Sequence, residues 1–368
     1  MQLSVILRRP TINFIGASAI AAAWIGTSAC KKQDQDSAGG KTPRVADKSN
    51  AVSNTATVAG AASANAVAAA PQITNQVTSA SPSTVTNSTA PQDTPRGPEQ
   101  IVGIYNNGVR HLQGDGVPQS VTQAAQYFRE AADFGHPGAQ HNLAVLYLSG
   151  RGVTQDLAQA KIWLEKSAEQ GLAEAQFKLA SLHASGVGVP QDFKAAVEWA
   201  RKAAEQGHTE AAYNLATLYV QGQGVEQNLA EAARWYLKAA EKGKPAAQSN
   251  VGFFYASGKG VPQDYAEANK WFQKAADQGH PFAQFNLGRS CAEGKGVPQD
   301  YIEAYKWYIL AAGRGDKDAA REQVELGLKM TSVQIAEGIR RANRFSARFE
   351  TNRPPAQGVR PEAGQPEK

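Results

Sequence analysis

The chain has 368 residues, a formal net charge of +5, 42% hydrophobic content and only two cysteines. One apolar stretch near the N-terminus is long enough to concern a membrane, which excludes a multi-span membrane protein. Two cysteines neither staple a small secreted scaffold nor build a four-cysteine zinc site. The basic excess belongs to the ends. Residues 1–98 carry 8 Lys and Arg against 4 Asp and Glu, 99–330 carry 23 against 25, and 331–368 carry 7 against 4. A near-neutral body argues against an electrostatic phosphate-binding surface, so no nucleic-acid partner is expected.

Residues 1–30 read as an address. Arg8 and Arg9 form a positive start, Ile12 to Ala29 is uncharged and apolar or small, and Thr27-Ser28-Ala29-Cys30 runs straight into Lys31-Lys32. This resembles a bacterial lipoprotein signal, in which small residues precede a cysteine that is acylated and becomes the new N-terminus. Thr27 departs from that pattern, which usually has Leu there. The resemblance implies lipidation at Cys30 and a chain in the cell envelope, facing the periplasm or the cell surface. An uncleaved apolar anchor with an incidental cysteine is the other reading. The flanks of Arg8-Arg9 fit a twin-arginine export signal poorly.

Residues 31–98 contain no aromatic residue, and Ser49 to Pro95 holds a single charge, Asp93. Such a segment buries too little apolar surface to offset the entropy of ordering, and is expected to be a disordered tether. As a random coil it would span about 45 Å root-mean-square.

A strict period follows. Gly114, Gly150, Gly186, Gly222, Gly258 and Gly294 stand 36 residues apart, each followed two positions later by a second Gly and then by Val. Three residues after each Val comes a helix-capping type: Ser120, Asp156, Asp192, Asn228, Asp264 and Asp300. Tyr127, Trp163, Trp199, Trp235, Trp271 and Trp307 recur in phase, and Gly135, Gly171, Gly207, Gly243, Gly279 and Gly315 close the pattern. All caps but Asp192 have Gln or Glu three residues on, the spacing of a capping box. The helix that follows carries apolar residues at i, i+3, i+4, i+7 and i+8, as in Ala232, Trp235, Tyr236, Ala239 and Ala240. A left-handed Gly ends it, and a second helix with an Ala, a Leu or Val and an aromatic stops at the next Gly-x-Gly.

One helix hairpin cannot bury its apolar face alone, so stacked copies are expected to form an all-α, right-handed solenoid over 99–330. The unit resembles the Sel-1-like repeat, a tetratricopeptide relative. The match is carried, for example, by Gly258-Lys259-Gly260-Val261-Pro262-Gln263-Asp264 with Ala268, Trp271 and Ala275-Ala276-Asp277-Gln278-Gly279. It covers about five full units with half-units at the ends. The resemblance implies assembly or adaptor roles. Asn106-Asn107-Gly108 suggests a frayed first helix. Thr331-Ser332-Val333-Gln334 opens a capping helix over 331–350, basic through Arg340, Arg341, Arg344 and Arg348, and expected to cover the last apolar face. Residues 351–368 read as a disordered tail.

Chemistry is hard to place on this chain. His136, His208 and His280 stand at equivalent points two repeats apart and are expected to finish helix C-termini rather than share a metal. His111, His141 and His183 are scattered. Cys291 occupies the packing position of Tyr147, Tyr219 and Tyr255, and reads as a core thiol. No metal, cofactor or small-molecule motif is present. Some relatives of this repeat family carry a Cys pair per repeat and a penicillin-hydrolysing activity. This sequence lacks those cysteines and any Ser-x-x-Lys, so a hydrolase acting on cell-wall or β-lactam compounds is the weaker alternative. The suggestive polar series is Asn106, Asn142, Asn214, Asn250 and Asn286, with Lys178 in the sixth place. These residues lie on the helix that lines the concave face of tetratricopeptide-like solenoids. Amides there either hold the backbone of a peptide partner or bridge adjacent repeats. The sequence thus points to a non-enzymatic scaffold that binds a protein or peptide partner and meets the membrane through an N-terminal lipid.

Overall fold

The computed structural model describes residues 97–351. The expected signal at 1–30, nearly all of the 31–98 tether and the tail beyond Thr351 lie outside them. The described residues form helices joined by tight turns. The hairpins are α1 (Pro98–Gln113) with α2 (Val121–Asp133), α3 (Pro137–Ser149) with α4 (Leu157–Glu169), and α5 (Ala173–Ser185) with α6 (Phe193–Glu205). After them come α7 (Thr209–Gln221) with α8 (Leu229–Glu241), α9 (Pro245–Ser257) with α10 (Tyr265–Asp277), and α11 (Pro281–Glu293) with α12 (Tyr301–Ala312). Two further helices, α13 (Lys317–Gly327) and α14 (Ser332–Thr351), complete the array. Up to α12 each helix packs on its neighbours in sequence, and α13 packs on α12, which is an all-α solenoid of helical hairpins. No described helix is long and apolar enough to cross a membrane.

The repeated residues explain each turn. The side chain at the start of every second helix caps it: Asp156 accepts from the Gln159 amide at 3.0 Å, and Asp264 from Glu267 at 2.9 Å. The glutamates expected to return the bond reach forward instead, Glu267 to Lys270 at 2.8 Å and Glu303 to Lys306 at 2.6 Å. A charge-assisted bond to a lysine one turn on is the stronger option for a carboxylate.

The two glycines of Gly-x-Gly do different work. Gly150 adopts φ +66° and terminates α3. Gly152, at φ +70°, lies against the start of the preceding repeat's second helix, where a Cβ would stand 2.6 Å from the Val121 carbonyl oxygen. Gly224 and Gly260 make the same approach to Phe193 and Leu229.

A glutamine before each cap ties the turn together. Gln155 Nε2 donates to the Leu148 carbonyl at 2.8 Å, and Gln119, Gln191, Gln227, Gln263 and Gln299 repeat the bond on Leu112, Ala184, Val220, Ala256 and Ala292. Each satisfies a carbonyl that the helix end leaves open.

The core runs between first and second helices, in three clusters joined through Trp199, Phe253 and Tyr255. Alanines dominate it, and close approach is tuned by size. Gly108, Gly252 and Gly288 sit under Phe128, Phe272 and Tyr308, each too close for a Cβ. Helix α1 is therefore continuous rather than frayed at Asn106-Asn107-Gly108, because Gly108 is the residue that lets Phe128 seat.

At the other end Thr331 and Gln334 form the expected capping box, with reciprocal bonds of 2.9 and 3.3 Å. Helix α14 then folds back on α12 rather than covering the open face of α13. Phe345 meets Trp307 edge-on at 5.2 Å, and Arg341 reaches Glu303 at 3.1 Å. Elsewhere a lysine three residues after the Trp lies over its ring, Lys166, Lys202, Lys238 and Lys274 at 3.7–4.3 Å. In the last hairpin that position is Leu310, which is buried, and Lys306 takes the lysine's place, 3.9 Å from the Trp307 ring and 5.5 Å from that of Phe345. Val324 and Leu328 of α13 stay 66% and 85% exposed.

Candidate partner-binding face

The first helices α1, α3, α5, α7, α9 and α11 carry three rows of side chains along one side, of which Tyr105, Val109, Phe177, Tyr213, Phe253 and Phe285 are partly buried and also pack against the core. One row is Val102, Gly138, Glu174, Glu210, Ala246 and Phe282. The next is Tyr105, His141, Phe177, Tyr213, Ser249 and Phe285, and the third is Val109, Val145, Ser181, Thr217, Phe253 and Arg289. Apart from Ser181 and Ser249 they are exposed or half-buried. The residue types in these rows change from repeat to repeat.

The asparagine series sits beside these rows and follows one geometric rule. Each Asn after Asn106 stands 37 residues after a member of the middle row, on the next first helix. Asn142 Nδ2 donates to the Tyr105 hydroxyl at 3.5 Å, and the Asn250 amide meets the hydroxyls of Tyr213 and Tyr236. Asn214 has Phe177 in that place, which lacks a hydroxyl. Its Nδ2 has no partner although the residue is only 4% exposed.

Asn286, 3% exposed, has Ser249 at the corresponding point and turns elsewhere. Its Nδ2 donates to the Phe282 carbonyl at 2.8 Å, and its Oδ1 accepts from Arg289 at 3.1 Å. Asn106 is exposed and Lys178 half-buried. Two of the asparagines thus bridge adjacent repeats, and two are closed off from solvent.

The histidines take a different place from the one expected. His136 and His208 do not finish the preceding helix with their side chains. They are the N-caps of α3 and α7, where Nδ1 accepts from Ala139 at 3.1 Å and from Ala211 at 3.2 Å. The ring from the preceding first helix holds each imidazole in place, Tyr105 on His136 at 4.4 Å and Phe177 on His208 at 4.6 Å. Lys244 continues the series, with its Nζ 4.9 Å from the Tyr213 ring and 2.6 Å from Glu210. At His280 the preceding helix offers Ser249 instead of a ring. His280 makes no capping bond, and its Nδ1 is buried without a partner, as is the Ser249 Oγ.

Burial holds His136, His141, His208 and His280 below the usual imidazole range. The caps are therefore neutral acceptors near neutral pH. Cys291 is a free, buried thiol, with a pKa pushed up to about 11 by desolvation and then by Glu303 and Asp300. A thiol so placed is a poor nucleophile. Among the described residues no group of three His, Cys, Asp or Glu is placed to hold a metal ion.

A buried glutamine network, legible only afterwards, links the repeats behind this face. Gln140 Nε2 donates to the Ala132 carbonyl at 3.2 Å while its Oε1 accepts from Gln170 at 2.7 Å. The same pair recurs as Gln176 with Gln206 and Gln248 with Gln278. Its signal in the sequence was the 36-residue recurrence of Gln140, Gln176, Gln248 and Gln284.

With this geometry in place, comparison with known proteins assigns the family. A family model described as Sel1 repeat matches six successive segments, 102–136, 137–172, 173–208, 209–244, 245–280 and 281–316. The chain belongs to the Sel1 repeat family. The match counts six complete Sel1 repeats, each beginning with the asparagine-bearing helix, where the sequence suggested five units and two halves. The difference is the frame: α1 is a whole first helix, and the Trp-bearing helix comes second in each Sel1 repeat.

A structure of a protective antigen present in uropathogenic Escherichia coli strains, displaying the same repeat fold, is similar at 33% identity with a TM-score of 0.62. The alignment covers 69% of this chain and 57% of that one. A Sel1 repeat protein from Oxalobacter formigenes is similar at 36% identity and a TM-score of 0.53, over 61% of this chain and 65% of its own. The chain thus spans less than two thirds of the length of either. Among curated proteins no relative matches. Sel1 repeat proteins are generally protein-interaction scaffolds and typically non-catalytic.

Proposed function

We propose that this Sel1 repeat protein is a non-catalytic interaction scaffold of the bacterial cell envelope. It is held to a membrane through an acylated Cys30 and binds a protein or peptide partner along its first-helix face. The observation that carries this reading is a division of labour inside the repeat. The positions that recur are used up by the fold: the caps, always Ser, Asp or Asn, and the unchanging glycines and glutamines that close each turn. In the three rows on the first helices no two copies carry the same set of residues. A scaffold needs the first set constant, and recognition needs the second set varied.

Asn142, Lys178 and Asn250 border these rows half-buried, within reach of a bound backbone. Asn214 and Asn286 support the same face from below through packing. The hydrolase alternative gains nothing from the side chains. Cys291 is buried with a raised pKa, and His136 and His208 are occupied as helix caps.

The anchoring half of the proposal rests on the Ala29-Cys30 junction and the long charge-poor segment that follows. Cys30→Ala tests it. We expect loss of lipid labelling and an uncleaved precursor of greater mass, whose retained apolar segment changes the membrane fraction that holds it. An unchanged precursor size and unchanged fractionation would overturn it.

A further inference from the structure

The fifth and sixth repeats break the pattern of the face in a concerted way. Three aromatic rings gather there, Phe253 on α9 with Phe282 and Phe285 on α11. Phe253 and Phe282 meet at 6.3 Å, and Phe282 is 40% exposed. In the other repeats the position of Phe282 is held by Val102, Gly138, Glu174, Glu210 and Ala246. Two cations flank the rings. Lys259 Nζ lies 5.8 Å from the Phe253 centroid, and the Arg289 guanidinium lies 5.9 Å from that of Phe285.

Helix α9 contains no carboxylate, and the single one in α11, Glu293, is engaged by Lys295 at 2.6 Å. The patch is apolar, and among the described residues neither Lys259 nor Arg289 makes an ion pair. Next to it lies polar capacity that the fold leaves unused. Ser249, one turn before Phe253 on the same side of α9, is 1% exposed, and its Oγ has no partner. His280, the N-cap residue two before Phe282, has a buried Nδ1 without a partner.

We propose that Phe253, Phe282 and Phe285, with Lys259 and Arg289, form the anchor for a linear segment of the partner in which an aromatic or large aliphatic residue stands beside an acidic one. This rests on the scaffold reading and specifies its ligand. The apolar side chain packs on the Phe282 and Phe253 rings, where exposed aromatics supply most of an interface's affinity. The neighbouring carboxylate meets Arg289 or Lys259, and charge sets the specificity. Ser249 and His280 supply hydrogen-bonding groups to a hydroxyl or backbone amide that reaches past the rings.

Selection of a random linear peptide library on the full chain tests this. We expect enriched sequences that pair an aromatic or Leu with a nearby Asp or Glu. Phe282→Ala should weaken them by about tenfold or more, and Arg289→Glu should shift the selected flank from acidic to basic. Both substitutions are on exposed residues, and unchanged melting would confirm that the fold is intact. Enriched peptides that bind Phe282→Ala and Arg289→Glu as tightly as the parent chain would overturn the anchor while leaving the scaffold reading standing. Enrichment of no peptide would overturn the anchor too. The scaffold reading itself would fail only if the chain also captured no protein from envelope extract.

Discussion

Phe177 lacks the hydroxyl that Tyr105 and Tyr213 present to the asparagine of the next repeat, and Asn214 is left with a buried, unused donor. A buried donor without a partner costs about 1–3 kcal/mol. Phe177→Tyr should therefore stabilise the chain by about 1 kcal/mol, read as a rise of roughly 2–4 °C in thermal melting. Asn142→Ala should move melting the other way. A fall in melting for Phe177→Tyr would contradict the rule that links the middle row to the asparagines. The histidine caps make a second residue-level consequence. Their folded pKa values lie below the usual one, mainly through burial, so folding favours the neutral ring. Stability is then complete above about pH 6.5 and is lost as pH falls through that value toward the folded pKa values. Replacing His136 and His208 by Asn, which caps without titrating, should flatten the fall in melting between neutral and mildly acidic pH. An equally steep fall in the double variant would remove these caps from the explanation.

At the scale of the element, the glycines divide by what surrounds them. Gly171 has φ +91° and nothing within contact distance of a Cβ, whereas Gly152 has φ +70° and the Val121 carbonyl in the way. Gly171→Ala should cost about 1–2 kcal/mol for its left-handed backbone alone. Gly152→Ala should cost about twice as much, because a Cβ also forces two repeats apart. Equal losses on chemical denaturation would show that the close approach does not matter. These helices and turns were legible in the sequence because caps, glycines and apolar spacing act locally. What stayed hidden depends on neighbours in space. The histidines looked like helix ends until their rings were seen stacked on the previous first helix. The direction of α14 is set by contacts distant in sequence, Phe345 on Trp307 and Arg341 on Glu303, which no local pattern announces.

The described residues form an array in which repetition builds the frame and departures from repetition create its individuality. The period alone revealed the solenoid and the helix that bears the asparagines. It could not reveal that Asn214 and Asn286 are closed off, because burial depends on packing between repeats that the period does not record. The aromatic patch of the last two repeats was likewise invisible as a pattern, since it consists of exceptions. The most direct test of the account places a photo-crosslinking residue at 174, 210 or 282 on the first helices, and at the equally spaced, exposed positions 162, 198 or 234 on the second helices. Irradiation of cells should then show discrete adducts with a partner protein from the first-helix positions, strongest at 282, and none from the second-helix positions. Adducts arising only from 162, 198 and 234, or equally from both sets, would contradict recognition by the first-helix face.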